Sequence, residues 1–595
     1  MKIVKRDGRI VEYNSDKIRL AISKANSEVE EEEQASEKEI EDIIKYIEKS
    51  KKKRMLVEDI QDIIEQKLME LKRYELAKAY IIYRYTRALV RKSNTTDETI
   101  LSLIKGSNVE SMESYGKKYI VSMQRDLIAG EVSKDLTRRM LLPEKISKAH
   151  DMGIIFFHNM EYFLQPVINS SNINIKDILD NGTVINETKI DTPNSFKVAC
   201  IVVSQIISAV ISAQSGECII DISCLGKYLN KSYIKLKEKF EEKYNNISKE
   251  IMEEIIQDML NEELKAGIQT LNYQINTLTT TNGKDPKVTF ILNLEENEYI
   301  EENASIYKEM LNQRIDGMKD ERDNFKMQVM PKLIYILNEN TAKNNSKFFD
   351  VTKLAMDCAI KLKTPSFVTG YEYLAGTFNQ GTVTLNLANL ALYVKTSKED
   401  LWQVLDTRLD LCFEALMCRH HALLGTLADT SPIHFKYGGI ARLKDQEKID
   451  TLLKSNKSTL TLGYVGMEEL TKILDMDVQS RILKKIKETC DRWKKETGLK
   501  FLIRNTENEA SKYFAKKDRE NYGIIKGITD KSEYLVKYDT KNEEELKQAL
   551  QESAKLEKYG DRTTLVLTGF IKNNIEQVIY EIYNTNKFVE FRKED

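Results

Sequence analysis

Residues 263–294 read ELKAGIQTLNYQINTLTTTNGKDPKVTFILNL, and the change of pattern inside that stretch decides the fold. Helical spacing gives way to the short apolar run VTFILNL at 288–294. Similar runs recur as GTVTLNLANLAL at 381–392, STLTLGYVG at 458–466 and TTLVLTGF at 563–570, with helical patterns between them. A strand too short to be a buried helix, repeated between helices, predicts βαβ units and an α/β fold with a mostly parallel sheet or barrel.

Outward from that core, 595 residues exceed what one hydrophobic core holds, so two or more domains are expected. Lys plus Arg number 91 against 93 for Asp plus Glu, a formal balance of −2. No chain-wide field would draw nucleic acid or an acidic membrane surface, and neither is expected as a partner. The most apolar run, Val198 to Ala213, carries Ser204, Gln205, Ser208 and Ser212 and reads as a buried core helix, not a membrane span. No signal peptide opens MKIVKRDGR, and seven cysteines that include no CxxC pair and no closely spaced set with His suit reduced thiols in a cytoplasmic protein. The adjacent His420 and His421, in MCRHHALL, face different directions on a helix and do not make an i, i+4 metal pair.

The N-terminal region, 1 to about 92, opens on a strand and a KRDG turn and continues as helices. Helical spacing runs from Asp59 to Arg91 through Ile60, Ile63, Ile64, Leu68, Leu71, Leu76 and Ala77. The acidic run Glu30 to Glu33 and the basic run Lys51 to Arg54 read as solvated helix ends or loops. A polar stretch, KSNTTDET at 92–99, is read as a linker, giving domains at 1–92 and 93–595. In VKRDGRIVEYNSDKI, at 4–18, a turn at Asp7 and Gly8 brings Lys5 and Arg6 toward Lys17, at the start of a helix capped by Asn14 or Ser15. Converging cations and a helix N-terminus suit a triphosphate, although KRDG by itself is also a common exposed turn.

That segment, with VEDIQDIIEQKLME at 57–70 and ELAKAYIIYRYTRALV at 75–90, resembles an ATP-cone domain over nearly all of residues 3–91. The resemblance implies a small, mostly helical sensor of ATP or dATP, with Mg2+ accompanying the nucleotide. Lys5, Arg6, Asp7, Gly8 and Lys17 are the binding positions it implies. Val57 departs from it, since Ser or Thr is usual there.

The rest resembles the anaerobic, class III ribonucleoside-triphosphate reductases over most of 100–590. The matching segments include GEVSKDLTRRMLLPEKISKAHDMGIIFFHNMEYF at 130–163, the 263–290 stretch, MPKLIYILNEN at 330–340, TLTLGYVGMEEL at 459–470, WKKETGLKFLIRNTENEASKYFAKKD at 493–518 and YGIIKGITD at 522–530. The resemblance implies a ten-stranded α/β barrel of the glycyl-radical and ribonucleotide reductase type, made of two parallel half-sheets. Asn169 and Asn276 match positions that face substrate in that family, the plain alternative being asparagines that satisfy a turn or strand. The helix SQIISAVISAQSG at 204–216 resembles one near the family's dimer face, which implies a homodimer or higher oligomer.

Against that frame, the radical chemistry is missing. The family places a cysteine pair where this chain reads Ser170 and Ser171. A serine O–H bond is much stronger than a thiol S–H bond, and serine cannot cycle through a disulfide. From Thr364 the sequence TPSFVTGYEYLAGTFNQ passes almost directly into GTVTLNL, where the family inserts a cysteine-bearing finger loop. Cys358, upstream in MDCAIKLKTP, resembles a non-catalytic helix position. After Gly569 no glycine follows, and the family's RxCGY-like loop and four-cysteine zinc site have no counterpart, so the barrel is read as truncated before them and no zinc is expected. No catalytic residue is therefore assigned. The expected function is a catalytically inactive paralogue that senses ATP or dATP and regulates or scaffolds an intact anaerobic reductase in deoxyribonucleotide metabolism. The alternatives are a reductase large chain completed in trans by a separate glycyl-radical protein, and a cone-driven oligomeric switch unrelated to reduction.

Overall fold

The computed structural model describes residues 2–4, 10–49, 54–105, 121–244, 247–277, 286–328, 330–506, 509–557, 560, 563–585 and 588–592. The chain divides into two compact units, Met1–Val109 and Glu110–Asp595.

In the first unit β1 (Lys2–Val4) lies between β2 (Ile10–Glu12), antiparallel to it, and β3 (Arg54–Leu56), parallel to it. Four helices, Asp16–Asn26, Glu37–Glu48, Val57–Glu70 and Tyr74–Lys105, cover the sheet. Each of the first three buries isoleucines at helical spacing, such as Ile40, Ile43, Ile44 and Ile47, in one core with Leu68, Leu76 and Tyr80. Ser36 and Glu39 form a reciprocal capping box at the start of the second helix. Arg84, on the fourth helix, holds the third through Glu58, Asp62 and Glu65. Residues 92–99, read as a linker, continue that fourth helix. Their Ser, Thr and Asn have only modestly lower helix propensity, and no Gly or Pro stops the helix there.

The second unit begins with the helix Val121–Leu136, a π-helical turn at Thr137–Leu141 and the helix Glu144–Asp151. Its strands follow: β4 (Ile155–Phe157), β5 (Ser170–Asn172), the hairpin β6 (Thr183–Ile185) and β7 (Thr188–Ile190), β8 (Cys218–Asp221), β9 (Val288–Leu292), the hairpin β10 (Met318–Lys319) and β11 (Phe325–Lys326), β12 (Lys332–Leu337), β13 (Ser366–Thr369), β14 (Thr377–Asn386), β15 (Ser458–Val465), β16 (Phe501–Asn505), β17 (Thr563–Val566) and β18 (Phe588–Arg592). The large sheet runs β16-β15-β14-β5-β8-β9-β12-β13-β18-β17, with β4 added antiparallel on β14. Strands β5, β8, β9, β12 and β13 are parallel to one another. So are β14, β15 and β16, and β17 with β18. The two junctions, β14 to β5 and β13 to β18, are antiparallel. The result is two five-stranded parallel halves running in opposite senses and curled into a barrel. At the remaining seam the Asn505 N–H donates to the Gly560 carbonyl at 3.0 Å.

Helices cover the outside, as alternation along buried strands requires. Cys218, Phe290, Leu333, Tyr335 and Phe367 pack outward with the helices Phe196–Ser212, Ile300–Asp316 and Phe349–Leu362. Val383, Leu385, Leu460, Leu462 and Tyr464 pack outward with the helices Leu387–Ser397, Leu401–Leu423 and Gln479–Thr497. The apolar run from Val198 is such a buried helix, with one side reaching the surface at Val198, Gln205 and Ser212. Among the described residues no helix is long and apolar enough to cross a membrane.

Candidate functional site

The barrel interior is the concave space that the fold creates, and its two halves differ. One is apolar: Ile291, Ile336 and Val368 cluster with Ile219, Ile334, Tyr371, Tyr373 and Phe588. The other is polar, because β14 and β15 alternate their outward Val and Leu with inward Asn379, Thr382, Thr384, Thr459 and Thr461. Asn379 Nδ2 donates to Thr461 Oγ1 at 2.8 Å, and its Oδ1 accepts from Thr382 at 3.5 Å. His158 Nε2, Thr384 Oγ1 and Thr506 Oγ1 form a chain at 2.8 Å and 2.8 Å. Burial, and next the nearby Arg419 cation, push the His158 imidazole down to about 3, so it is neutral at pH 7. From the facing edge Glu217 accepts a hydrogen bond from Thr289. Neutral donors and acceptors with one carboxylate suit hydroxyl-bearing groups.

Ser170 and Ser171 lie on β5, at the junction between the halves, and alternation separates them. Ser170 is half-buried and lies on the interior side. Ser171 is 2 % exposed and points into the helix layer, where its hydroxyl donates to Gln214 Oε1 at 2.6 Å. The same oxygen accepts from His434 Nε2 at 3.0 Å, so that nitrogen carries the proton and Nδ1 accepts from Ser431 Oγ at 2.6 Å. Burial pushes His434 down to about 3, which keeps this network uncharged.

The thiols of the seven cysteines all lie in the helix layers. Cys218 stands directly beside Ser171 in register, and neighbours in register share a face, so its thiol also points into the helix layer. Cys200, Cys224 and Cys358 belong to the same outer core, Cys412, Cys418 and Cys490 to the other. Burial pushes the thiols of all seven up, which disfavours the thiolate.

Residues 370–376 cross directly from β13 to β14. The Tyr373 hydroxyl donates to the carbonyls of Ile173 at 2.7 Å and Ile219 at 3.0 Å, which fixes a phenol ring in the apolar half of the barrel.

The remaining expected positions are dispersed. Asn169 lies at the polar edge: its N–H donates to Asn379 O at 2.8 Å and its side chain reaches Thr382 Oγ1 at 3.5 Å. Asn276 ends the helix Lys249–Thr277 and donates to the carbonyls of Asn272 at 2.8 Å and Met330 at 2.7 Å, next to β12. Strands β8 and β9 lie between the two positions in the sheet. His420 Nδ1 pairs with Gln380 Oε1 at 2.9 Å, and among the described residues no three His, Cys, Asp or Glu side chains gather as a metal site. Lys5, Arg6, Asp7 and Gly8 lie outside the described residues. Lys17 is exposed in the first turn of its helix; the N-cap is Ser15, which makes no side-chain capping bond, and Asn14 Oδ1 accepts from the Asp16 N–H at 2.8 Å in the turn before it. Sequence reasoning missed His158, Gln214, Tyr373 and His434. His158 lay within a matched segment, but the partners of all four are set by the fold.

Residues 113–575 match the family described as anaerobic ribonucleoside-triphosphate reductase, and residues 1–89 match the ATP cone domain. The anaerobic ribonucleoside-triphosphate reductase of Haemophilus influenzae is 30% identical over 580 residues, covering 89% of this chain and 80% of that protein. That of Enterobacteria phage T4 is 31% identical over 480 residues, covering 73% and 77%. Among solved structures, the anaerobic ribonucleotide reductase from Thermotoga maritima with MES in the active site aligns with a TM-score of 0.61 at 14% identity, covering 85% of this chain and 90% of that one. A family match across most of the second unit, joined to the ten-stranded barrel, makes this chain a member of the anaerobic ribonucleoside-triphosphate reductase family with an N-terminal ATP cone.

Proposed function

We propose that this chain is a nucleotide-sensing member of its family that does not itself carry thiyl chemistry. It binds ATP or dATP with Mg2+ through its cone, at Lys5, Arg6, Asp7, Gly8 and Lys17, and regulates or scaffolds deoxyribonucleotide synthesis. It works as a homodimer or higher oligomer, with an intact anaerobic reductase as partner. The observation that carries this reading is the placement of sulfur: all seven cysteines pack into the helix layers, and serines occupy the strand where the family has its pair. The polar half of the barrel keeps hydroxyl-binding groups, so Asn169 and its neighbours Asn379 and Thr382 are proposed to hold a ribose without reducing it. Asn276 is proposed at the substrate edge through the Met330 segment that it anchors. The cone assignment is supported by the family match over residues 1–89.

Calorimetric titration of the purified chain tests it. Saturable binding of MgATP or MgdATP is expected, weakened at least about tenfold, or roughly 1.4 kcal/mol, by Lys17→Ala, the loss of one charge-assisted phosphate contact. Absence of binding by both nucleotides contradicts the reading.

A further inference from the structure

Arg419, on the helix Leu401–Leu423, is buried away from the barrel interior, and its surroundings are built to admit it. The side chain crosses β14 at Gly381, where the register with β15 shifts between Asn379 and Gly381. A Cβ at position 381 would lie 2.7 Å from Arg419 Cγ and Cδ, so only glycine leaves room for the crossing. The guanidinium then rests 3.9 Å from the Phe157 ring centroid and 5.1 Å from that of Phe163, in a corner formed by two rings set edge to face.

This corner holds the guanidinium by its face and leaves one edge unused. Nε and Nη2 are buried with no hydrogen-bond partner among the described residues, and together they form the fork that pairs with the two oxygens of a carboxylate or phosphate. Burial pushes Arg419 down to about 9, opposed by the field of Glu161, and the group is still a cation at pH 7. A buried cation with an unpaired fork is costly, and an unfilled buried donor calls for an ion or water to fill it. His158, on the other side, is neutral and brings no compensating charge.

We propose that Arg419 is the floor of a buried oxyanion site, separate from the barrel interior, which takes a small carboxylate or inorganic phosphate in bidentate fashion on its Nε and Nη2 edge. Phe157 and Phe163 hold the plane of the guanidinium, and Gly381 provides the passage.

Thermal unfolding of the full chain, dialysed free of oxyanions, tests this against added acetate and, separately, inorganic phosphate. At least one anion is expected to raise Tm saturably in the native chain and in Lys17→Ala, and not in Arg419→Met. Equal responses in the native chain and Arg419→Met, or none in the native chain, overturn the proposal. Glu161→Gln separates an internal ion pair from an external anion: a native-like anion response is expected, and destabilisation with no anion response overturns it. Should Arg419→Met fail to fold, Arg419→Lys keeps the cation without the fork. Acetate affinity is then expected to fall at least about tenfold, and unchanged affinity overturns the proposal.

Discussion

Alanine at position 560 is expected to destabilise the barrel by about 3–5 kcal/mol, because it strikes the seam at which the two halves close. Gly560 has φ +75°, and a Cβ there would lie 2.1 Å from the Ile503 carbonyl oxygen on β16. That atom is backbone and cannot swing aside, so either β16 moves or the segment entering β17 does. Either movement breaks the Asn505-to-Gly560 hydrogen bond. Gly498 is the control: it shares a positive φ, +73°, but a Cβ there meets nothing within 4 Å, so Gly498→Ala should cost only about 1 kcal/mol of left-handed strain. Denaturant midpoints compare the two, and amide exchange on β16 should accelerate in Gly560→Ala alone. Equal, small effects would mean that the seam contributes nothing to stability.

Loss of the Asp518 carboxylate is expected to cost a similar amount and to leave a pH signature. Asp518 is fully buried on the helix Glu509–Tyr522. Its Oδ1 accepts from Asn389 Nδ2 at 2.7 Å, and its Oδ2 from Asn386 Nδ2 at 2.9 Å and Tyr534 OH at 3.0 Å. Asn389 in turn accepts from Arg408 Nη2 at 3.0 Å, so the carboxylate ties the end of β14, the helices Leu387–Ser397 and Leu401–Leu423 and the 534 segment together. Asp518→Ala leaves three buried donors unpaired and should cost about 3–5 kcal/mol. Burial pushes Asp518 up from 3.8 to about 6, and the hydrogen bonds only partly oppose this. A raised carboxyl pKa means that the folded state binds the proton more tightly. The contribution is therefore complete below about pH 4 and is lost as pH rises through 6, a change of roughly 3 kcal/mol. Urea midpoints between pH 4 and 7 should show this slope in the native chain and not in Asp518→Asn. The same slope in both would place the titration elsewhere.

What was legible in the sequence follows from burial. Strands β9 and β15 sit between interior and helix layer and are buried almost throughout, so VTFILNL stands out as a continuous apolar run and STLTLGYVG as one that alternates outward Leu with inward Thr. Strand β5 does not: Ser-Ser-Asn is short and polar, and only its place in a longer familiar frame exposed it. In GTVTLNLANLAL the strand ends at Asn386, whose side chain accepts from the Asn389 N–H and starts a helix within what reads as one apolar run. The serine pair at Ser170 and Ser171 was likewise legible, read there as standing where the resemblance puts cysteines. Its consequence was not, because Gln214 and His434, which absorb the Ser171 hydroxyl, are 220 residues apart in sequence. Tyr373 was hidden for the same reason: its partners, just after β5 and on β8, lie 200 and 154 residues away.

The placement of sulfur is tested most directly by product analysis. The purified chain would be incubated anaerobically with a radical-SAM activating enzyme, a reductant, an allosteric nucleotide and each ribonucleoside triphosphate in turn, with no other reductase present. No deoxyribonucleotide above background is predicted for any substrate; sustained formation of deoxyribonucleotide by this polypeptide alone would contradict the account.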